Sequence, residues 1–311
     1  MKSSGEAGLH GVIPAIVTPF TRGGASVDFD WVPAHLEFLQ RNGADAVLAS
    51  GTTGEGPSLT TAERKRLVDV VVKHKGSLAV VIGSGCAALP DTIELSKYSL
   101  ERGADTVLIV PPFYFKNVSS AALADYYRAV FRALPKEKQV MLYNIPAVSG
   151  VEISNELVDT LQAELPQQLA GIKDTSGKLE RTTEYIRRYP GLKIFAGSDT
   201  LASAALKAGA AGSFSATSNV FPHLMKAVHE AHRCGGNVAD AQSRLTRAKE
   251  LLYKYPIPSA LKHALHILGG LPVTHVRPPS AELSREQAKS LKTELEAFMD
   301  AEKATPSQVV L

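Results

Sequence analysis

The sequence has little cysteine. Cys86 and Cys234 are the two among 311 residues, and neither sits in a CxxC spacing. That argues against a disulfide framework and against a zinc ribbon, and it fits a reducing cytoplasm. No apolar run approaches the roughly 20 residues that cross a bilayer. The N-terminus, MKSSGEAGLHG, lacks the apolar stretch of a signal peptide. Charge of one sign is also scarce in excess. Lys plus Arg is 34 and Asp plus Glu is 31, which leaves +3. No basic tract collects that excess, so neither nucleic acid nor a membrane is an expected partner. What remains is a chain that is 44% hydrophobic and 21% charged. Such a chain buries a sizeable core and is neither disordered nor fibrous.

One rhythm organises it. Gly11–Thr18 (GVIPAIVT), Ala44–Ser50, Leu78–Gly83, Ala104–Val110, Gln139–Asn144, Gln168–Lys173, Leu192–Gly197 and Ala210–Ser215 read as strands. Most are apolar on both faces, as parallel strands covered on both sides must be. Helical patterns lie between them. Asp28 stands ahead of WVPAHLEFLQR, Thr60 and Glu63 form a capping box, and Ser154 precedes NELVDTLQAEL. Gly43, Gly103 and Gly209 fall where helices end in a left-handed residue. Eight such units in succession predict an α/β fold, a (β/α)8 TIM barrel. A doubly wound sheet usually has fewer strands. After residue 220 only helices follow: His223–Cys234, Ala239–Tyr253, Ser259–Leu268 and Ser284–Asp300. The expected organisation is a barrel over 1–235 and a C-terminal helical extension over 236–311.

Chemistry in a barrel sits at the C-terminal strand ends. Lys173 closes LAGIK there, and Tyr143 ends the neighbouring strand. Desolvation beside an apolar interior favours the neutral amine, which can form a Schiff base with a carbonyl. The iminium then withdraws electrons from an adjacent C–C bond. The plainer alternative is a lysine salt-bridged to Asp174. An imine former needs a proton shuttle, and Tyr143 can serve if the hydroxyls of Thr52 and Tyr114 orient it; alternatively it is a rim tyrosine packed on its ring. Gly51–Gly56 (GTTGEG) can aim backbone amides at an anion, and a carboxylate fits better than a nucleotide because GxxxxGK[ST] is absent. Otherwise it is only a tight turn. Gly83–Ala88 reads GxGxxA, but no acidic residue follows the next strand, which weakens a dinucleotide reading. His229/His232 and His263/His266 lie three residues apart without a completing ligand and read as packed or solvated helix faces, so no metal is expected. Trp31 reads as packing.

The order and spacing of GTTGE, YNIP, GIKDTSG and GSD resemble the dihydrodipicolinate synthase/N-acetylneuraminate lyase family over nearly the whole chain. The resemblance implies a (β/α)8 barrel, usually a homotetramer built as a dimer of dimers, and class I chemistry on pyruvate and an aldehyde without a cofactor. It implies Lys173 as the Schiff-base lysine and Tyr143 as proton relay with Thr52. Tyr114 would reach the relay from a neighbouring subunit. Thr52 and Thr53 amides would hold the pyruvate carboxylate, and Phe214 would line the pyruvate end.

Departures choose among subfamilies. The synthases usually carry an arginine after YN-x-P for the carboxylate of aspartate semialdehyde, and Val148 stands there, which an apolar side chain cannot replace. Residues of lysine feedback are replaced by Ala87 and Thr61. Ala147-Val148-Ser149-Gly150 is closer to the sialic acid lyases, where Thr175, Gly197 and Asp199 match sugar-binding positions. However, Thr200 stands for an expected glutamate and Ala216 for a serine. GTTGEGPSL, KDT, GSDTL and Arg277-Pro278-Pro279 resemble most the 2-keto-3-deoxy-sugar-acid aldolases, with Thr175, Ser198 and Asp199 set for a shorter hydroxylated chain. The expectation is therefore a pyruvate-dependent lyase for such an acid or a related 2-oxo acid. The alternatives are 4-hydroxy-tetrahydrodipicolinate synthase, a dehydrating or decarboxylating relative, and a binding protein that has lost catalysis.

Overall fold

The structure, a computed structural model, describes residues 8–304. Residues 1–7 of the expected barrel and 305–311 of the expected extension lie outside them. Eight parallel strands form one sheet: β1 (Gly11–Pro14), β2 (Ala46–Ala49), β3 (Ala79–Gly83), β4 (Thr106–Ile109), β5 (Val140–Asn144), β6 (Leu169–Asp174), β7 (Lys193–Ala196) and β8 (Gly212–Ser215). From β2 to β8 each strand pairs with the next in sequence, and β1 pairs with β8. A bridge between Ala15 and Leu48 brings β1 back to β2, with the Ile16 N–H donating to the Leu48 carbonyl at 2.9 Å. The sheet is thereby a nearly closed (β/α)8 barrel. The first strand is shorter than its apolar run. Beyond Ala15 the chain finds other partners: the Val17 N–H donates to Asn219 Oδ1 at 3.0 Å, and the Thr18 side-chain hydroxyl donates to the Gly54 carbonyl at 2.6 Å.

The helices are α1 (Val32–Arg41), α2 (Thr61–His74), α3 (Leu89–Glu101), α4 (Ser120–Ala133), α5 (Pro146–Ser149), α6 (Asn155–Glu164), α7 (Leu179–Arg188), α8 (Ala202–Ala208), α9 (Pro222–Cys234), α10 (Val238–Tyr253), α11 (Ser259–Gly269) and α12 (Arg285–Ala304). The Thr60–Glu63 capping box forms in both directions, and Ser154 caps α6. Gly43, Gly103 and Gly209 have φ of 93°, 101° and 106°. Asp28 does not cap α1. The helix starts four residues later behind Trp31, and Asp28 contributes its carbonyl to the Trp31 N–H instead. Proline at the second helical position removes one amide that a cap would serve.

Side-chain alternation divides the barrel into two apolar layers. Ile13, Leu48, Val81, Leu108, Met141, Phe195 and Phe214 fill the inside. Val47, Val80, Val107, Leu142, Ile172 and Ile194 face the helices. A separate cluster joins Leu224, Leu245, Leu252, Leu265, Leu291 and Leu295 of α9–α12 to Val12 and Trp31. Trp31 is a packing residue, with its indole N–H bonded to the Pro272 carbonyl at 2.8 Å. Each of these leucines contributes about 1.5–3 kcal/mol by leaving water, so the late helices are fastened to the barrel's first β–α unit. No helix among the described residues is long and apolar enough to cross a membrane.

Candidate active site

Parallel register puts Tyr143 opposite Lys173, and Lys173 opposite Phe195. All three point into the barrel. Lys173 is 4% exposed, with Nζ 3.9 Å from the centroid of the Tyr143 ring and 5.2 Å from that of Phe214. Aromatic faces give a buried cation some compensation for lost water. The salt-bridge alternative for this lysine fails because one residue's advance along a strand reverses the face. Asp174 points to the helices and is saturated there. Its oxygens accept from Asn144 Nδ2 at 2.8 Å, Thr182 Oγ1 at 2.6 Å, and the Ser176 N–H and hydroxyl at 3.1 and 3.0 Å. Asn144 in turn accepts from the Ile153 N–H at 3.0 Å. This outer network fixes the ends of β5 and β6 and leaves the amine free for chemistry.

Tyr143 is likewise buried, and its phenol lies 3.4 Å from Thr52 Oγ1. Burial alone would push the phenol up. The positive charge of Lys173 and the nearby hydroxyls of Thr52 and Thr175 together outweigh it and leave Tyr143 below the ordinary tyrosine value. A phenol that releases its proton more readily beside an amine is suited to shuttling protons.

Thr52 and Thr53 sit on the turn after β2. This turn doubles back on itself: Gly56 N–H donates to the Gly51 carbonyl and Glu55 N–H to the Thr52 carbonyl. A Cβ at Gly56 would meet the Ser50 carbonyl oxygen at 2.2 Å. Ser50 and Glu55, at its two ends, hold φ of 59° and 52°, a region where non-glycine residues are uncommon. The loop is therefore an imposed conformation rather than a relaxed turn.

Across the mouth, Gly197 follows β7 and packs on Thr175: a Cβ at Gly197 would lie 2.0 Å from Thr175 Oγ1. Asp199 is 3% exposed; its Oδ2 accepts from Thr217 Oγ1 at 2.6 Å. Asp199 Oδ1 and Thr175 Oγ1 are both buried and complete no hydrogen bond among the described residues. Burial pushes the Asp199 carboxyl up, against the hydroxyls of Ser215 and Thr217 and the charge of Lys249. The Ser198 hydroxyl lies 3.1 Å from that of Thr200. Phe214 stacks edge-on against Phe195 at 5.2 Å and supports the lysine from inside the barrel. Tyr114 is not brought to this centre within one chain. It is 75% exposed after β4 and packs edge-on against Phe115.

A pocket with about 610 Å³ of empty space, continuous with solvent, opens between the ends of β2 and β5. Thr52, Val110, Phe113, Tyr143 and Val148 line it, and so does Arg64, which the sequence reading overlooked. Arg64 is 6% exposed and, among the described residues, has only neutral acceptors: Ser50 Oγ at 3.0 Å, the Gly83 carbonyl at 2.6 Å, the Gly85 carbonyl, and Cys86 Sγ at 2.9 Å. It thus ties the Gly83–Ala88 turn to α2 through the Gly83 and Gly85 carbonyls and Cys86 Sγ. Its burial was legible in principle, since Arg64 shares a helical face with Leu67, Val68 and Val71. His229 packs on the barrel through Ser213 Oγ at 3.2 Å.

The comparisons with known proteins agree with this geometry. The sequence profile of the dihydrodipicolinate synthetase family matches residues 8–298. An uncharacterized DapA-like lyase of Chloroflexus aurantiacus is 45% identical over 93% of this chain and 97% of its own. The 4-hydroxy-tetrahydrodipicolinate synthase of Sorangium cellulosum is 37% identical over 94% and 98%. Among solved structures, YagE of E. coli K12, a dihydrodipicolinic acid synthase family protein in complex with pyruvate, superposes with a TM-score of 0.85. It is 30% identical and covers 94% of this chain and 99% of its own. KD(P)GA from T. tenax gives a TM-score of 0.83 at 26% identity over 94% and 100%. With the profile spanning almost every described residue, the chain belongs to the dihydrodipicolinate synthetase family and is a carbon–carbon lyase of the class I aldolase type.

Proposed function

We propose that this lyase cleaves a 2-keto-3-deoxy sugar acid, or a related 2-oxo acid, to pyruvate and an aldehyde. The observation that carries the reading is a buried Lys173 amine packed on Tyr143 with no carboxylate partner among the described residues. The amine adds to the C2 ketone and water leaves, giving an iminium. Tyr143, oriented by Thr52, takes the proton of the C4 hydroxyl. The C3–C4 bond breaks, its electrons move into the iminium to give an enamine, and the aldehyde departs. Protonation at C3 and hydrolysis release pyruvate and restore the amine. Thr52 and Thr53 would hold the carboxylate through their amides, and Phe214 would close the pyruvate end.

Two features favour a hydroxylated chain over aspartate semialdehyde. Val148 is 60% exposed on α5 at the pocket rim, and an isopropyl group gives a second carboxylate nothing to bind. On the opposite side, Asp199 Oδ1 and Thr175 Oγ1 offer buried polar atoms to hydroxyl groups, with Ser198 and Gly197 beside them. The aldolase neighbour KD(P)GA adds support. Tyr114, exposed beside Phe115, suits insertion into a second copy of the chain, in line with the tetramers typical of the family.

Purified enzyme is offered pyruvate with glyceraldehyde or with aspartate semialdehyde, and product formation is followed. Faster turnover of glyceraldehyde is expected. Faster turnover of the semialdehyde would make the chain a dihydrodipicolinate synthase that binds its aldehyde without the arginine.

A further inference from the structure

The loop carrying Thr52 and Thr53 ends in Glu55, whose carboxylate faces away from Lys173 into the protein. It is 5% exposed as a residue. Its Oε1 accepts from Lys262 Nζ on α11 at 2.6 Å, and its Oε2 accepts from the Arg277 N–H at 3.1 Å. The side chains of this ion pair are 1% and 4% exposed. Lys262 Nζ also donates to the His275 carbonyl at 2.6 Å and lies 4.7 Å from the centroid of Phe20. Arg277 grips the next stretch, donating to the Ser58 carbonyl at 2.8 Å and pairing with Glu63. Thus Lys262 and Arg277, both beyond residue 260, hold this loop and the stretch that follows it.

Burying both charges is a poor way to gain stability, because desolvation offsets their attraction. A buried pair of this kind is better suited to fixing a geometry. Here the geometry is strained: Glu55 sits at φ 52°, and it belongs to the tight turn that orients the Thr52 hydroxyl and the loop amides.

We propose that the Glu55–Lys262 pair is a positioning device for the keto-acid carboxylate, by which the C-terminal helices hold the carboxylate-binding loop in register with Lys173. The inference rests on the reading that this loop binds that carboxylate. Both Glu55 oxygens accept from cationic or backbone donors. A glutamine offers one acceptor and one donor, so it sets an N–H against a donor and the loop must shift. A shift of this size, remote from the reacting atoms, costs about ten- to a hundredfold in productive binding.

The test combines pyruvate kinetics with borohydride trapping of the imine. Pyruvate is compared with hydroxyacetone, which has the ketone but no carboxylate. Glu55→Gln and Lys262→Met are each expected to raise KM for pyruvate about tenfold or more with kcat changed by less than about threefold. They should also erase most of the preference for pyruvate over hydroxyacetone. Glu55→Asp, which keeps the charge on a shorter stem, should show the same split more mildly, and it carries the test should the first two fail to fold. Leu295→Ala on α12 supplies a destabilised control in which KM and preference stay as in the wild type. Wild-type KM and preference in the folded Glu55 and Lys262 variants would overturn the positioning role while leaving the lyase reading intact. Wild-type enzyme that traps no pyruvate would overturn that reading itself, and this inference with it.

Discussion

Replacing Tyr143 by phenylalanine removes one oxygen and little else. The ring stays against Lys173 Nζ, 3.9 Å from its centroid, so packing in the barrel is preserved. What disappears is the phenol, 3.4 Å from Thr52 Oγ1, which the lysine charge and the surrounding hydroxyls hold below its ordinary value despite burial. A positioned proton shuttle contributes about 10²–10⁴-fold, which corresponds to about 3–5 kcal/mol of transition-state stabilisation. The variant should therefore lose about 10²–10⁴-fold in kcat for cleavage of a 2-keto-3-deoxy sugar acid. Its KM should change much less. Pyruvate release coupled to NADH oxidation reads both constants. Imine trapping by borohydride should persist in the variant, more slowly, because the amine remains. A Tyr143→Phe enzyme within about threefold of wild type in kcat would refute the relay.

Val148→Arg should add a clamp for a second carboxylate at an exposed position. A charge-assisted bond of about 1.5–3 kcal/mol raises kcat/KM for aspartate semialdehyde by about ten- to a hundredfold; no increase in a folded variant would show that the rim does not set aldehyde choice. The third expectation concerns acid. His35 is 1% exposed, and burial pushes it down to about 4 despite its contact with the Asn219 carbonyl. The unfolded chain binds a proton near pH 6.5 and the folded one only near 4, so stability from this residue is lost as pH falls through that window. The loss approaches about 3 kcal/mol below pH 4. His35→Gln should flatten the fall in urea midpoint between pH 7 and 4.5. An unchanged slope would mean that His35 titrates alike in both states.

The barrel was legible because strands covered on both faces must be apolar throughout, and all eight runs became strands. Their ends were less so. Val17 and Thr18 continue the apolar run of β1 but bond to Asn219 and Gly54, partners 202 and 36 residues away. Such bonds leave no local signature. Lys173 and Tyr143 could be found because strand ends in a barrel converge; the period-2 alternation of LAGIKD, which separates Lys173 from Asp174, was the signal left unused when their salt bridge stood as an alternative. Glu55, Arg64 and Lys262 were missed for a shared reason. Charged residues on loops and helices read as solvated; Glu55, on the loop after β2, and Lys262, on α11, are turned inward only by the path of distant segments, whereas Arg64 shares a helical face with Leu67, Val68 and Val71 that already marked it as buried. Tyr114 illustrates the opposite limit: it stands 75% exposed, and nothing within one chain carries the role that the resemblance implies for it.

Treating the enzyme with pyruvate and borohydride, then sequencing its peptides by mass spectrometry, tests the central claim most directly. The account expects one reduced pyruvyl group per chain, carried by Lys173 and lost in Lys173→Ala together with activity. Full activity in Lys173→Ala, or a group carried by some other lysine, would contradict it.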